Sequence, residues 1–166
     1  LIPVISTYSQ QTGESDSIIF QEKDLRPHFN SLAFRTFPNT INNDLTQIES
    51  ITKPQDFLIV DLQNYTGNAT DDDIIPITEK LEKFKKCHIT IVRSAMDYDI
   101  TNIGLEHGKV VYEADNSLLK TYKQLHGHSF GDYVGIKKDK VTKGGGISPG
   151  FIFYNPLENN FYGFKG

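Results

Sequence analysis

Asp56–Leu62 reads DFLIVDL and His88–Ser94 reads HITIVRS. Each is a continuous apolar run closed by a charged residue, the pattern of a buried strand covered on both faces. Between them lies Asp71–Lys86, DDDIIPITEKLEKFKK, with acids in its first turn and lysines in its last. Ile77, Leu81 and Phe84 share one face, so the segment is a helix whose charged ends suit its dipole. Pro76 fits only a first turn, which starts the helix proper near Ile75. Strand, helix and strand in this order imply parallel strands joined by right-handed crossovers, an α/β architecture.

The alternation continues outward from this unit. On the N-terminal side, Leu1–Thr7 (LIPVIST) and Leu32–Phe37 (LAFRTF, closed by Pro38) read as strands. Asn42–Ile51 places Leu45, Ile48 and Ile51 at helical spacing, with Asn43 or Asp44 as its cap. On the C-terminal side, Lys109–Glu113 (KVVYE) is a further strand, and Asn116–Leu125 is a helix capped by Asn116 and packed through Leu118, Leu119, Tyr122 and Leu125. These five strands are expected to form one mostly parallel sheet of apolar strands covered on both faces, with helices 42–51, 71–86 and 116–125 packed on it and Leu1–Thr7 at its edge. Beyond His126 the rhythm changes. Phe130–Ile136 reads as a strand, Lys137–Gly146 as a solvated loop, and Gly150–Tyr154 with Asn160–Phe164 as a hairpin. The polar stretch from Tyr8 to Ser17 is the only candidate boundary, so residues 1–166 are taken as a single domain. Its first residue, Leu1, stands directly at a strand, which suggests a processed chain or one piece of a longer protein.

Composition narrows the function classes. The 166 residues are 37% hydrophobic and 23% charged, enough for a core and too apolar for a disordered chain. No apolar stretch approaches the ~20 residues of a membrane span, so no membrane partner is expected. A single cysteine, Cys87, excludes an intrachain disulfide and a four-cysteine zinc site. Seventeen basic against 21 acidic side chains give a net charge of −4, which excludes a broadly cationic nucleic-acid coat. A reduced, cytoplasmic location is the expectation.

In parallel α/β proteins, ligands bind at the carboxyl ends of strands. Read in order, those ends carry Arg35, Asp61, Arg93 and Glu113. If the strands align, arginines there can grip a phosphate or carboxylate while the acids act as base or metal ligand. The same charges can instead neutralise one another in a structural network, and this plainer reading is favoured. His126-Gly-His128 with Asp132 has the look of a metal triad. Gly127, however, marks a helix C-terminus, where His126 simply complements the dipole. No metal is therefore assigned. Lys137–Gly146 lacks a Walker pattern, and Cys87 follows a lysine-rich helix end with nothing to activate its thiol.

The segment HSFGDYVGI contains Phe130-Gly131-Asp132-Tyr133, an aromatic-Gly-Asp-Tyr signature, followed by the strand FIFYN and the closing turn FYGFKG. Together with LIPVI, LAFR, FLIVDL and ITIVRS, these pieces resemble the C-terminal half of the Beta protein family of phages, prophages and bacterial defence loci. The resemblance implies half of a (β/α)8 TIM-barrel-like fold with an added C-terminal hairpin. It also implies a phage- or antiphage-defence-associated role. It makes Asp132 and Tyr133 candidates for the barrel mouth, although Gly131 can equally serve a bend, Asp132 a cap and Tyr133 the core.

Two functions compete. In the first, the protein binds a partner or an anionic ligand. The partner is another protein chain, either a missing N-terminal half or a second copy, with a phosphate-containing ligand as a further candidate. In the second, it is a phosphodiester-processing or nucleotide-binding enzyme. The candidate set is Asp61, Glu113 and Asp132 for chemistry, with Arg35, Arg93 and Tyr133 for ligand binding.

Overall fold

A computed structural model describes residues 1–7, 17–96, 100, 104–132 and 150–165. Tyr133 and the lysine-glycine loop of residues 137–146 lie outside the described residues. Five strands form a parallel sheet: β1 (Val4–Ser6), β2 (Ala33–Thr36), β3 (Phe57–Asp61), β4 (His88–Arg93) and β6 (Ser129–Asp132), side by side in that order. Between them run helices α1 (Ser17–Leu25), α2 (Ile41–Ile51), α3 (Ile75–Leu81) and α4 (Ser117–Thr121). A second, antiparallel sheet joins β5 (Lys109–Glu113), β8 (Asn160–Phe164) and β7 (Phe151–Asn155) in that order.

Lys109–Glu113 therefore does not belong to the parallel sheet, contrary to expectation. Its place beside β4 is taken by β6, with Ile91 level with Phe130 and Arg93 level with Asp132. The physical reason is visible in the segment itself. A strand inside the parallel sheet must bury its apolar run, whereas no residue of β5 is fully buried and Val110 is half exposed. A bulge between Val110 and Tyr112 also breaks its pairing with β8.

The described helices cover one face. Ile5, Phe34, Leu58, Val60, Ile89 and Ile91 point to that face, and they form one core with Ile18 of α1, Leu45 and Ile48 of α2, Ile77 and Leu81 of α3, and Leu118 of α4. The register puts Ala33, Arg35, Phe57, Ile59, Thr90 and Val92 on the opposite face. Most of these are half-buried, and none belongs to the helix-covered core. Of the cover expected on both faces, the described helices thus supply only one. Ile59 and Val92 gave the runs their continuous apolar look without having a helix above them.

Local chemistry also departs from expectation at three helices. Helix α2 starts at Ile41, with Thr40 at the cap position but making no side-chain capping bond, one turn ahead of Asp44. Asp44 is instead fully buried, where its Oδ2 accepts hydroxyl hydrogen bonds from Thr40 (2.6 Å), Thr36 (2.9 Å) and Thr7 (3.2 Å). Those bonds tie the first turn of α2 to the ends of β1 and β2. Helix α3 begins at Ile75, with Pro76 in its first turn, but closes as a single 3₁₀ turn, Glu82–Phe84, well short of residue 86. Asn116 precedes α4 without making a capping bond, and the Asp115 carboxylate does that work by accepting from the Ser117 amide (3.1 Å) and hydroxyl (2.7 Å). Helix α1, which sequence periodicity left unread, ends at Leu25 and is followed directly by Arg26.

Candidate site at the strand carboxyl ends

The charged strand ends separate into two groups. Asp61 is level with Val92, so Arg93, one residue further on, projects to the other side of the sheet. Arg35 and Asp61 share the face opposite the described helices. Arg35 Nε donates to Asp61 Oδ2 at 3.0 Å, and its Nη2 bonds to the same oxygen. The other carboxylate oxygen accepts from the Gln63 amide at 2.9 Å. Asp61 is fully buried, while Arg35 keeps about a third of its side chain exposed and lies over the Phe37 ring. The expected convergence of Arg35, Asp61 and Arg93 at one mouth does not occur.

Arg93 sits on the helix-covered face, only 1% exposed. Its Nη1 lies 3.4 Å from Asp115 Oδ2, and its Nη2 donates to the Asp115 carbonyl oxygen. Asp132 Oδ2 stands 3.7 Å from Nε, too far for a hydrogen bond, and Asp132 Oδ1 accepts from the Ala95 amide at 3.1 Å. The guanidinium carbon lies 5.8 Å from the Phe130 ring centroid, a cation–π contact. Burial raises the Asp115 carboxyl, but the Ser117 hydroxyl and amide, with Arg93, outweigh it and hold that group below the usual carboxylate range.

The second sheet stands at this end. Phe161 of β8 packs with Ala95, Met96 and Ala114, just past β4 and β5, and Tyr154 of β7 lies 4.8 Å from Phe161, ring to ring. Between the two sheets is a pocket of about 220 Å³, lined among others by Arg93, Asn116, Phe130, Asp132, Tyr154 and Phe161. Of the sequence candidates, the structure brings together Arg93 and Asp132 here. Glu113 does not join them. It is exposed on the second sheet, opposite Asn160, because β5 left the parallel sheet. The sequence pattern assigned Asn116 only a capping role and gave no signal for Asp115, Tyr154 and Phe161, although Asp115 follows the strand-end Glu113 by two residues.

The histidine cluster is also taken apart. His126 adopts a left-handed conformation (φ 57°) that ends the helical segment. His128 Nδ1 accepts from the Ile89 amide at 3.1 Å at the start of β6, and Asp132 ends the same strand about 13 Å away at ~3.3 Å per residue. Among the described residues, no three His, Cys, Asp or Glu side chains are grouped to hold a metal ion. No helix of these residues is long and apolar enough to cross a membrane. Gly131 lies inside β6, where a Cβ would meet Val92 Cγ1 at 3.0 Å, so it permits close approach between strands.

The pieces quoted for the family resemblance occupy definite places in this fold. LIPVI, LAFR, FLIVDL and ITIVRS supply four adjacent strands, the described part of HSFGDYVGI supplies the fifth, and FIFYN with FYGFKG build the second sheet. No curated protein and no solved structure is matched by the chain. The model of the Beta protein family matches residues 1–166, end to end, and the chain therefore belongs to that family.

Proposed function

We propose that this protein works by binding a partner chain through the sheet face that carries none of the described helices, and that the described fold is half of a TIM-barrel-like unit. The observation that carries this reading is the one-sided cover of the parallel sheet, with α1 to α4 on the face of Phe34, Leu58 and Ile89. In a closed barrel the helices lie outside and the opposite face of each strand is packed in the interior. Ala33, Phe57, Ile59, Thr90 and Val92 occupy that inner position. Strand β1 pairs only with β2 among the described strands, and Val4 on it is half exposed. Such an edge invites a further strand from a preceding half or from a second copy. The phage- or defence-associated setting implied by the family resemblance belongs to this reading.

The charge pairs favour binding a protein over gripping a phosphate. Among the described residues, Arg35 is matched by Asp61 and Arg93 faces both Asp115 and Asp132, so neither strand-end group shows surplus positive charge there. An anion would have to displace carboxylates from each arginine. Sedimentation of residues 1–166 across low micromolar concentrations tests the proposal. Self-association, or a complex with a separately supplied N-terminal half, is the expected result. A compact monomer that binds no such half would overturn it.

A further inference from the structure

The two edges of the second sheet are built differently. At one edge stands β5, which carries Lys109 and Glu113 at its ends and a bulge between Val110 and Tyr112. Charges and bulges are the devices by which a sheet edge resists a further strand. At the other edge stands β7, which reads FIFYN, with no charge, no proline and no break in its register with β8. Among the described residues β7 pairs with β8 alone. The backbone groups along its outer side are therefore a template for one more strand.

The side chains of β7 fit that template to a second copy of itself. Register with β8 sets Phe151 level with Phe164 and Phe153 level with Tyr162, so these rings share one face, and Ile152 and Tyr154 turn to the other. Phe151 stacks on Phe164 at 5.0 Å, yet Phe151 and Phe153 stay 58% and 54% exposed beside the open edge. In antiparallel pairing about a two-fold axis at Phe153, all five residues find a partner. Phe153 meets its own copy, Ile152 meets Tyr154, and Phe151 meets Asn155. Each pair joins residues of one face, and Phe151 lies diagonal to Phe153 of the second copy, within reach of aromatic contact. A slip of one residue would turn the rings to opposite faces. The paired stretch holds no charge, so no like charges are brought together.

We infer that β7 is a dimerisation edge, at which a second copy of this chain adds antiparallel and joins two three-stranded sheets into one of six strands. The contact is isologous and uses the same edge of both copies, while β5 blunts the other, so the assembly closes as a dimer and does not grow into a filament. The inference is independent of the proposed partner face, which belongs to the parallel sheet.

The test uses the full chain. Sedimentation from low to high micromolar concentration should show a monomer passing to a dimer and stopping there. Phe153→Lys brings two like charges opposite each other across the axis, and should lower the dimer population tenfold or more. Its melting temperature, taken where the parent is monomeric, should be unchanged, because Phe153 is already half exposed. Phe153→Cys gives a positive signal. Residues directly opposite in an antiparallel pair have Cα atoms ~4.5–5.5 Å apart, within disulfide range, so mild oxidation should join two copies at position 153. Cys87, 3% exposed, does not compete. Leu157→Cys, 94% exposed but beyond the paired stretch, should cross-link at least tenfold more slowly and so measures chance collision. Val4→Lys blunts the β1 edge and should leave the link at position 153 intact, which separates this contact from the partner face. Three outcomes would overturn the inference. They are a monomer at every concentration, which a foreign strand as the occupant would also produce, self-association that Phe153→Lys leaves unchanged, and cross-linking at position 157 as fast as at 153.

Discussion

Arg26 clasps Asp56 with both terminal guanidinium nitrogens, Nη1 to Oδ1 at 2.8 Å and Nη2 to Oδ2 at 2.7 Å. Asp56 has no exposed side-chain surface and also accepts from the Leu32 amide (2.9 Å) and the Lys53 amide (2.8 Å). Arg26 is steadied in turn by Glu22, one helical turn back, at 2.7 Å. This pair joins the end of α1 to the segments entering β2 and β3, at the opposite end of the sheet from the pocket. Its planar, two-bond geometry needs arginine, because lysine presents a point charge without the fork.

Removing one partner leaves the other charged and unpaired in a buried place. Arg26→Met is expected to destabilise the fold by about 3–5 kcal/mol, the usual cost of breaking such a pair. Arg26→Lys should recover only part of that loss. The midpoint of urea unfolding at pH 7 measures both, and a midpoint unchanged in Arg26→Met would contradict this account.

Acid should act through the same carboxylate. Burial raises the Asp56 carboxyl, but Arg26 and the two amides outweigh it and hold the group below its usual range. Asp115 is held down likewise by Ser117 and Arg93. With folded values below unfolded ones, the unfolded state binds the proton first. Their contribution is therefore present above the unfolded value of about 3.9 and is lost as pH falls through the lower folded values. Urea midpoints from pH 7 to pH 2.5 should stay level in this contribution down to about pH 5 and then fall. In Asp56→Asn the acid slope should be shallower.

Arg93→Ala is expected to weaken the fold as well as the pocket. The guanidinium is buried and holds the Asp115 carbonyl at the entrance to α4. A loss of about 2–4 kcal/mol fits a buried charged hydrogen-bonding group whose partners are left behind. Thermal unfolding monitored by circular dichroism reads it directly. A variant as stable as the parent would contradict this account.

Gly127 gives a sharper steric prediction. A Cβ there would approach Ile91 Cγ1 at 2.8 Å and the Tyr122 carbonyl oxygen at 2.9 Å. Because backbone stands on one side, Gly127→Ala should cost about 1–3 kcal/mol through overpacking. Gly108→Ala should be costly for another reason, its φ of +72°, although nothing within 4 Å opposes the Cβ. Comparing the two melting temperatures separates contact from backbone strain.

Cys87 is 3% exposed, and its thiol donates to the Phe84 carbonyl oxygen at 3.1 Å. Burial pushes it up to about 11. At pH 8 the folded protein should therefore react with a thiol reagent far more slowly than the urea-unfolded chain, since the thiolate is the reactive form. Equal rates in the two states would refute the buried placement. A folded value raised in this way gives stability that is present below the unfolded value and lost as pH rises through about 11.

Four of the five parallel strands and the core of three helices could be read from local pattern. Leu58, Val60, Ile89 and Ile91 announce buried strands because burial demands apolar side chains wherever the chain is covered. Ile77 and Leu81 announce a helix because its period repeats within a few residues. Helix α1 escaped since Ile18 is its only fully buried residue, which leaves little periodicity to detect. Ser129–Asp132 was read only in part, since its buried face rests on Phe130 alone.

Local pattern was enough for the alternation of strands and helices, and with it a parallel sheet, because those choices depend on neighbours along the chain. Tertiary structure decided which face the helices cover, which sheet takes Lys109–Glu113, and which arginine meets which aspartate. Strand side chains alternate, so a register set by distant backbone hydrogen bonds places Asp61 and Arg93 on opposite faces. Arg35 finds Asp61 across 26 residues and Arg93 finds Asp115 across 22. No local pattern encodes such pairings, because they form only once strands from separate segments have docked and carried their charges together.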